Sequence, residues 1–154
     1  MLIYNPRQTV IITCKGVYEH FGRQEEREEQ LVLNWHSPAS MHPPTYAIFI
    51  RNDLTAKQII ERSKVFAVNF VPFSLALTVK ISMAGKPLHL ATIDCQKIDC
   101  PRLKDVIGVL ECEVSNVIPI GDCTLFIGKV VTNVFDHEDK RLFHEWDDRF
   151  TTTQ

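Results

Sequence analysis

Val109-Leu110-Glu111-Cys112-Glu113-Val114-Ser115-Asn116-Val117-Ile118 is followed by the break Pro119-Ile120-Gly121-Asp122. After Cys123 comes Thr124-Leu125-Phe126-Ile127-Gly128-Lys129-Val130-Val131-Thr132-Asn133-Val134-Phe135. In the first run Leu110, Cys112, Val114 and Ile118 fall on one face and Glu111, Glu113 and Ser115 on the other. That is the period of a strand with one face toward a core. Proline and glycine in the break are turn residues, so the two runs read as a hairpin. The second run is apolar on both sides, with Leu125, Ile127, Val131 and Phe135 on one face and Phe126, Val130 and Val134 on the other. Such a strand belongs to a sheet that closes into a barrel, its outer face covered by a helix or a second subunit.

The rest of the chain supplies further strands. Gln8 to Lys15 is rich in β-branched residues, Thr45 to Arg51 alternates Tyr46, Ile48 and Ile50 with Ala47, Phe49 and Arg51, and Val65 to Val71 is a short apolar run. The charged segment Gly22 to Gln30 reads as a solvated hairpin loop or the start of a strand. Thr55-Ala56-Lys57-Gln58 fits a capping box, with Ala56, Ile59, Ile60 and Ser63 on one helical face behind it. Phe73 to Ala84 conflicts with itself. Phe73, Leu75, Leu77, Val79, Ile81 and Met83 alternate as in a strand, while Pro72 suits the first turn of a helix.

The 154 residues read as a single domain, 1–154, with no repeat and no linker. Hydrophobic residues at 45% are enough to bury a core. Seventeen Lys plus Arg against nineteen Asp plus Glu leave a net charge of −2, which argues against a nucleic-acid binder. Val65 to Val79 is uncharged over 15 residues but interrupted by Asn69 and Pro72. A membrane-spanning helix needs about 20 apolar residues, so no membrane span is expected. Residues 1–7 lack the basic start and apolar core of a signal peptide, and a cytoplasmic location follows as an expectation. The cysteines are odd in number, 5 in all, and form no Cys-x-x-Cys pair, so neither a disulfide framework nor a metal site is expected. The 6 histidines show no ligand spacing.

Glycine-rich phosphate loops, nucleophile elbows and metalloprotease helices are all absent. The segment that stands out is Asn34-Trp35-His36-Ser37-Pro38-Ala39-Ser40-Met41-His42-Pro43-Pro44. Its prolines indicate an irregular loop whose free backbone N–H groups meet water or a polar, planar ligand. Arg51-Asn52-Asp53-Leu54-Thr55 follows where a strand ends and a helix starts, a suitable seat for phosphate. Both segments also read as ordinary turn chemistry.

Taken in order, Asn34-Trp35-x-x-Pro38-x-Ser40-x-x-Pro43-Pro44, Thr55-Ala56-x-x-Ile59, Phe66-Ala67-Val68-Asn69, Leu110 to Val114, Gly121-Asp122-x-Thr124 to Gly128, and Phe143-His144 with Arg149-Phe150-Thr151 resemble the flavin-reductase-like family of FMN-binding split barrels. The resemblance implies a mainly β fold with α: a closed antiparallel split β-barrel, Greek-key-like, with flanking helices. It also makes Pro72 to Ala84 a helix. It implies a homodimer that binds FMN and takes electrons from NADH or NADPH. Carried over by position, Asn34, Trp35, His36 and Ser37 line the flavin ring and ribityl chain, and Arg51, Asn52, Asp53 and Thr55 surround the phosphate. Lys80, Ser82, Gly85 and Lys86 stand in place of a longer phosphate-side segment found in relatives. Trp146 replaces a common glycine, and it either restricts the flavin face or packs on the barrel or the partner. The activity implied is a flavin or ferric reductase passing electrons to a small-molecule or protein acceptor. An FMN electron carrier reduced by a protein, and a flavin-free barrel acting as a binding module, are the alternatives.

Overall fold

The computed structural model describes residues 2–153. In chain order it contains β1 (Arg7–Gln8), β2 (Val10–His20), β3 (Arg23–Leu33), β4 (His36–Met41), β5 (Pro44–Arg51), α1 (Thr55–Ser63) and β6 (Val65–Phe70). A 3-10 turn (Phe73–Leu75), α2 (Ala76–Met83), β7 (Thr92–Asp94), β8 (Pro101–Leu103), β9 (Gly108–Ile120), β10 (Cys123–Phe135), β11 (Phe143–Trp146) and β12 (Arg149–Thr151) complete it. Seven strands make one antiparallel sheet in the order β3-β2-β6-β9-β10-β5-β4.

The two ends of the sheet are brought together because one stretch of chain changes partners. β3 follows β2 as far as Leu33 opposite Val10. Two residues later the Trp35 carbonyl accepts the Phe49 N–H at 3.2 Å, and His36 lies opposite Ile48 of β5. The outermost strands of the written order are thus consecutive pieces of chain, and Asn34 is the crossover. This is the split-barrel arrangement, with helices flanking the sheet.

Alternation on β2 feeds two cores. Val10, Ile12 and Cys14 join Ile48, Ile50, Phe66, Val68, Cys112 and Phe126 inside the barrel, where Ala56, Ile59 and Ile60 of α1 also pack. Ile11, Ala67 and Val109 face outward into a second cluster with Val79 of α2, Leu88, Ile98, Cys100, Leu103, Val106 and Leu142. β-Branched runs buried on both sides follow from that double covering.

Several expectations change. The charged run is β3 itself, paired along its length with β2; it tolerates charge because it is largely exposed. Pro38 and its neighbours do not form an irregular loop but strand β4, hydrogen-bonded to β5 with a bulge between Pro38 and Ser40. Proline is accommodated there because β4 is an edge strand. No capping box forms: Leu54 is the N-cap residue, in extended geometry and without a side-chain cap bond. Gln58 instead takes the Glu19 N–H at 2.6 Å. Phe73 to Met83 is helical, as the family resemblance implies and against the strand period of its side chains. β6 already has β2 and β9 on its two edges, so the chain leaving it has no ladder to join. Wound into a helix, the alternating string points its side chains in all directions, and only Val79 of α2 is fully buried. Glu111, on the face expected to meet water, is fully buried beneath residues 96–97.

Candidate functional site

At the crossover, Arg7 straightens the chain between β3 and β4. Its Nε donates to the Asn34 carbonyl and its Nη2 to the His36 carbonyl, both at 3.0 Å. Thr9 Oγ1 donates to Asn34 Oδ1 at 2.6 Å. The imidazole of His36 is buried, with Nε2 donating to the Gln8 carbonyl at 2.6 Å. Because a carbonyl only accepts, Nδ1 is left to receive the Tyr46 hydroxyl at 2.7 Å. Burial holds the His36 pKa below its ordinary value and pushes the Tyr46 phenol up to about 12. His36 is therefore a neutral wedge that fixes β4 against β1 and β5.

Beside it lies a cavity of about 490 Å³ lined by Tyr4, Arg7, Trp35, His36, Ser37, Phe49, Ile120, Asp122 and Cys123. Tyr4 and Trp35 meet edge to face, with ring centroids 6.0 Å apart. The indole is 50% exposed, which leaves much of it available to a ligand. Aromatic and apolar walls with one fixed guanidinium suit a flat, mostly apolar molecule with a few acceptors.

Past the end of β5 is a second hollow, about 300 Å³, lined by Tyr18, Asn52, Asp53, Leu54, Thr55, Lys57, Gln58 and Glu61. It surrounds the first turn of α1, where the Leu54 carbonyl accepts the Lys57 N–H at 3.1 Å and the N–H groups of Thr55 and Ala56 have no intrahelical acceptor. The two hollows meet at a tied junction. Asn52 N–H donates to the Asp122 carbonyl at 2.9 Å, its Nδ2 donates to the Gly121 carbonyl at 3.3 Å, and Thr124 Oγ1 donates to its Oδ1 at 2.7 Å. Arg51 is exposed and engaged with Asp53 at 2.6 Å.

Of the residues expected from the sequence, Trp35, His36 and Ser37 come together at the first hollow, and Asn52, Asp53 and Thr55 at the second. Asn34 and Arg51 line neither; the Asn34 side chain is turned to Thr9 and the Arg51 guanidinium to Asp53. Lys80, Ser82, Gly85 and Lys86 line neither, and Lys80 lies 3.4 Å from Asp148. Trp146 is not part of the cavity wall; the Arg149 guanidinium covers its ring, 4.9 Å from the centroid. Tyr4, Arg7, Phe49, Ile120, Asp122 and Cys123 also line the first hollow and lie outside the site expected from the sequence. Phe49 carried a signal, since it alternates with core residues on its strand; Arg7 and Tyr4 carried none. Among the described residues no group of three or more His, Cys, Asp and Glu is gathered as a metal site, and no helix is long and apolar enough to cross a membrane.

Residues 3–153 match the family described as flavin reductase like domain. An uncharacterised protein of Pyrococcus abyssi is 26% identical over 145 residues, covering 89% of this chain and 78% of its own. The FMN-binding protein of Thermus thermophilus, solved with p-hydroxybenzaldehyde, superposes with a TM-score of 0.83 at 18% identity, covering 99% of this chain and 89% of that one. The flavin reductase PheA2 superposes with a TM-score of 0.78 at 22% identity, covering 97% and 92%.

Proposed function

The chain belongs to the flavin-reductase-like family, and from that premise we propose that it is an FMN-binding, NADH- or NADPH-dependent flavin or ferric reductase. We further propose that it works as a cytoplasmic homodimer. The supporting observation is the apolar, aromatic-walled cavity at Trp35, joined through Asn52 and Asp122 to the start of α1.

The residues present fit the cofactor. Trp35, Phe49 and Tyr4 offer surface for a flat ring system, and Ser37 offers a hydroxyl at the rim. Arg51, Thr55 and the first turn of α1 would hold the phosphate, in competition with the Asp53 carboxylate that Arg51 already pairs. Bound FMN supplies the electron-transfer chemistry, which is why no acid–base or nucleophilic dyad is needed. The work of the chain is to position: Arg7 and neutral His36 hold the Trp35–Ser37 backbone, and the hydrophobic walls keep water from the ring.

Titration with FMN and with riboflavin tests the reading. A charge-assisted hydrogen bond contributes about 1.5–3 kcal/mol, so Arg51→Ala or Thr55→Ala weakens FMN binding roughly tenfold to a hundredfold. Riboflavin, lacking the phosphate, binds both variants as it binds wild type. Equal losses for the two ligands would remove the phosphate assignment. Anaerobic addition of NADH or NADPH then tests the reaction. Rapid bleaching of the flavin supports the reductase, whereas bleaching by dithionite alone supports the carrier.

A further inference from the structure

We propose that Cys95 and Cys100 form a redox-modification site, a thiol pair that a hydroperoxide converts into a reversible disulfide across the base of the turn at residues 96–99. Register places them together. β7 and β8 pair as Thr92 with Leu103, Ile93 with Arg102 and Asp94 with Pro101, so the next pair is Cys95 with Cys100. The Cys95 N–H donates to the Cys100 carbonyl at 3.0 Å, which continues the ladder through that pair. Opposed residues in an antiparallel ladder have Cβ atoms about 4.5–5.5 Å apart, and a disulfide spans about 3.5–4.5 Å. A small closing movement therefore suffices.

The turn between them is held from below. The buried Glu111 carboxylate accepts the Gln96 N–H at 2.8 Å and the Lys97 N–H at 2.7 Å, so the pair is kept in register. The two sulfurs differ in access. Cys95 is half-buried, whereas Cys100 is 4% exposed and its thiol points to the Thr13 and Pro101 carbonyls, each at 3.3 Å. Both residues line a cleft of about 330 Å³ with Lys15, Glu28 and Asp99, through which a small peroxide reaches Cys95.

The chemistry balances with a hydroperoxide as two-electron oxidant. The Cys95 sulfur attacks the terminal peroxide oxygen, the O–O bond breaks, and a sulfenic acid forms with release of water or an alcohol. The Cys100 sulfur then attacks the Cys95 sulfur, the S–O bond breaks, and the hydroxyl leaves as water with the Cys100 proton. A dithiol reverses the reaction. The neighbouring Cys95 thiol and burial push the Cys100 thiol up and hold it protonated in the reduced protein, which leaves the more accessible Cys95 to react first.

The test exposes the reduced, desalted protein to hydrogen peroxide and reads intact mass and a non-reducing peptide map. The expected result is a loss of about 2 Da, a Cys95–Cys100 linked peptide, and full reversal by dithiothreitol. Cys95→Ser is expected to keep its mass. Cys100→Ser is expected to accumulate a sulfenic acid on Cys95 that dimedone captures. Wild-type protein that keeps its mass, gains oxygen on Cys95 without a link, or links Cys95 to another cysteine overturns the proposal.

Discussion

His36 sits where β4 leaves the crossover, with both ring nitrogens committed, Nε2 to the Gln8 carbonyl and Nδ1 to the Tyr46 hydroxyl. A proton added there would be buried and would lie near the Arg7 guanidinium, and burial is the larger of the two penalties. The native pKa is therefore below the ordinary 6.5 that the unfolded chain retains. On acidification the unfolded state takes the proton first, so stability is complete above 6.5 and is lost as pH falls toward the native value. The slope in that window approaches about 1.4 kcal/mol per pH unit. Urea midpoints of wild type and His36→Gln, followed from neutral pH to about pH 5, measure it. The advantage of wild type is expected to shrink steadily on acidification, and an advantage independent of pH would show that His36 does not refuse the proton.

At the scale of elements, β10 carries the barrel from its inner core to its outer one. Its pairing with β9 shifts between Ile127 and Gly128 and again between Val130 and Thr132. Such bulges change which side chains face inward. Phe126 and Val130 pack inside the barrel, while Val131 packs against the outer cluster. Gly128 sits between the two shifts because nothing larger fits. A Cβ there would stand 2.7 Å from Cys112 Cβ and 2.7 Å from the Phe66 ring. Neither neighbour can give way in a packed core, so Gly128→Ala is expected to cost about 1–3 kcal/mol. The urea midpoint reports it, with the m-value unchanged. A wild-type midpoint would mean that β10 shifts outward freely. Helix α2 shows the opposite economy, with Leu77 at 68% and Ile81 at 44% exposure because the helix only caps the outer cluster.

For the whole molecule, the outer face of β10 is covered in two ways. Around Val131 the chain covers itself with the second cluster. Around Leu125 it does not: Leu125 lies opposite Phe49 on one side and Ile118 on the other, and Phe49 is bonded to Trp35. This row of four apolar side chains runs over β9, β10, β5 and the crossover segment, and Trp35 is 50% and Ile118 41% exposed. A second copy is the cover we propose, and self-complementary contact across a two-fold axis is the commonest form. Light scattering at micromolar concentration is expected to give a dimer for wild type and a monomer for Ile118→Glu, which places a charge in the row. A monomeric wild type would defeat the proposal. Trp35 belongs both to this row and to the cavity wall, so loss of the dimer is also expected to weaken FMN binding.

The strands of the hairpin around Gly121, the β5 alternation and the buried face of α1 could be read from the residues, because each depends on a local period of two or 3.6. The family could be read as well, from the order of short motifs. Tertiary structure decided the rest. Phe73 to Ala84 has a strand period but no free edge to join, so it coils. Glu111 has the position of a solvent-facing residue, yet a turn from 15 residues upstream lies over it and hands it two N–H groups. Asn34 is the crossover residue, its side chain held by Thr9 and its carbonyl by Arg7, a place that no local period marks. Arg7 and Tyr4 reach the cavity wall because β1 is brought to the crossover by pairing with β11, with Arg7 opposite His144 and Gln8 opposite Phe143. Local periods are set by neighbours within a few residues, whereas these positions are set by contacts between segments far apart in the chain, which no local pattern encodes.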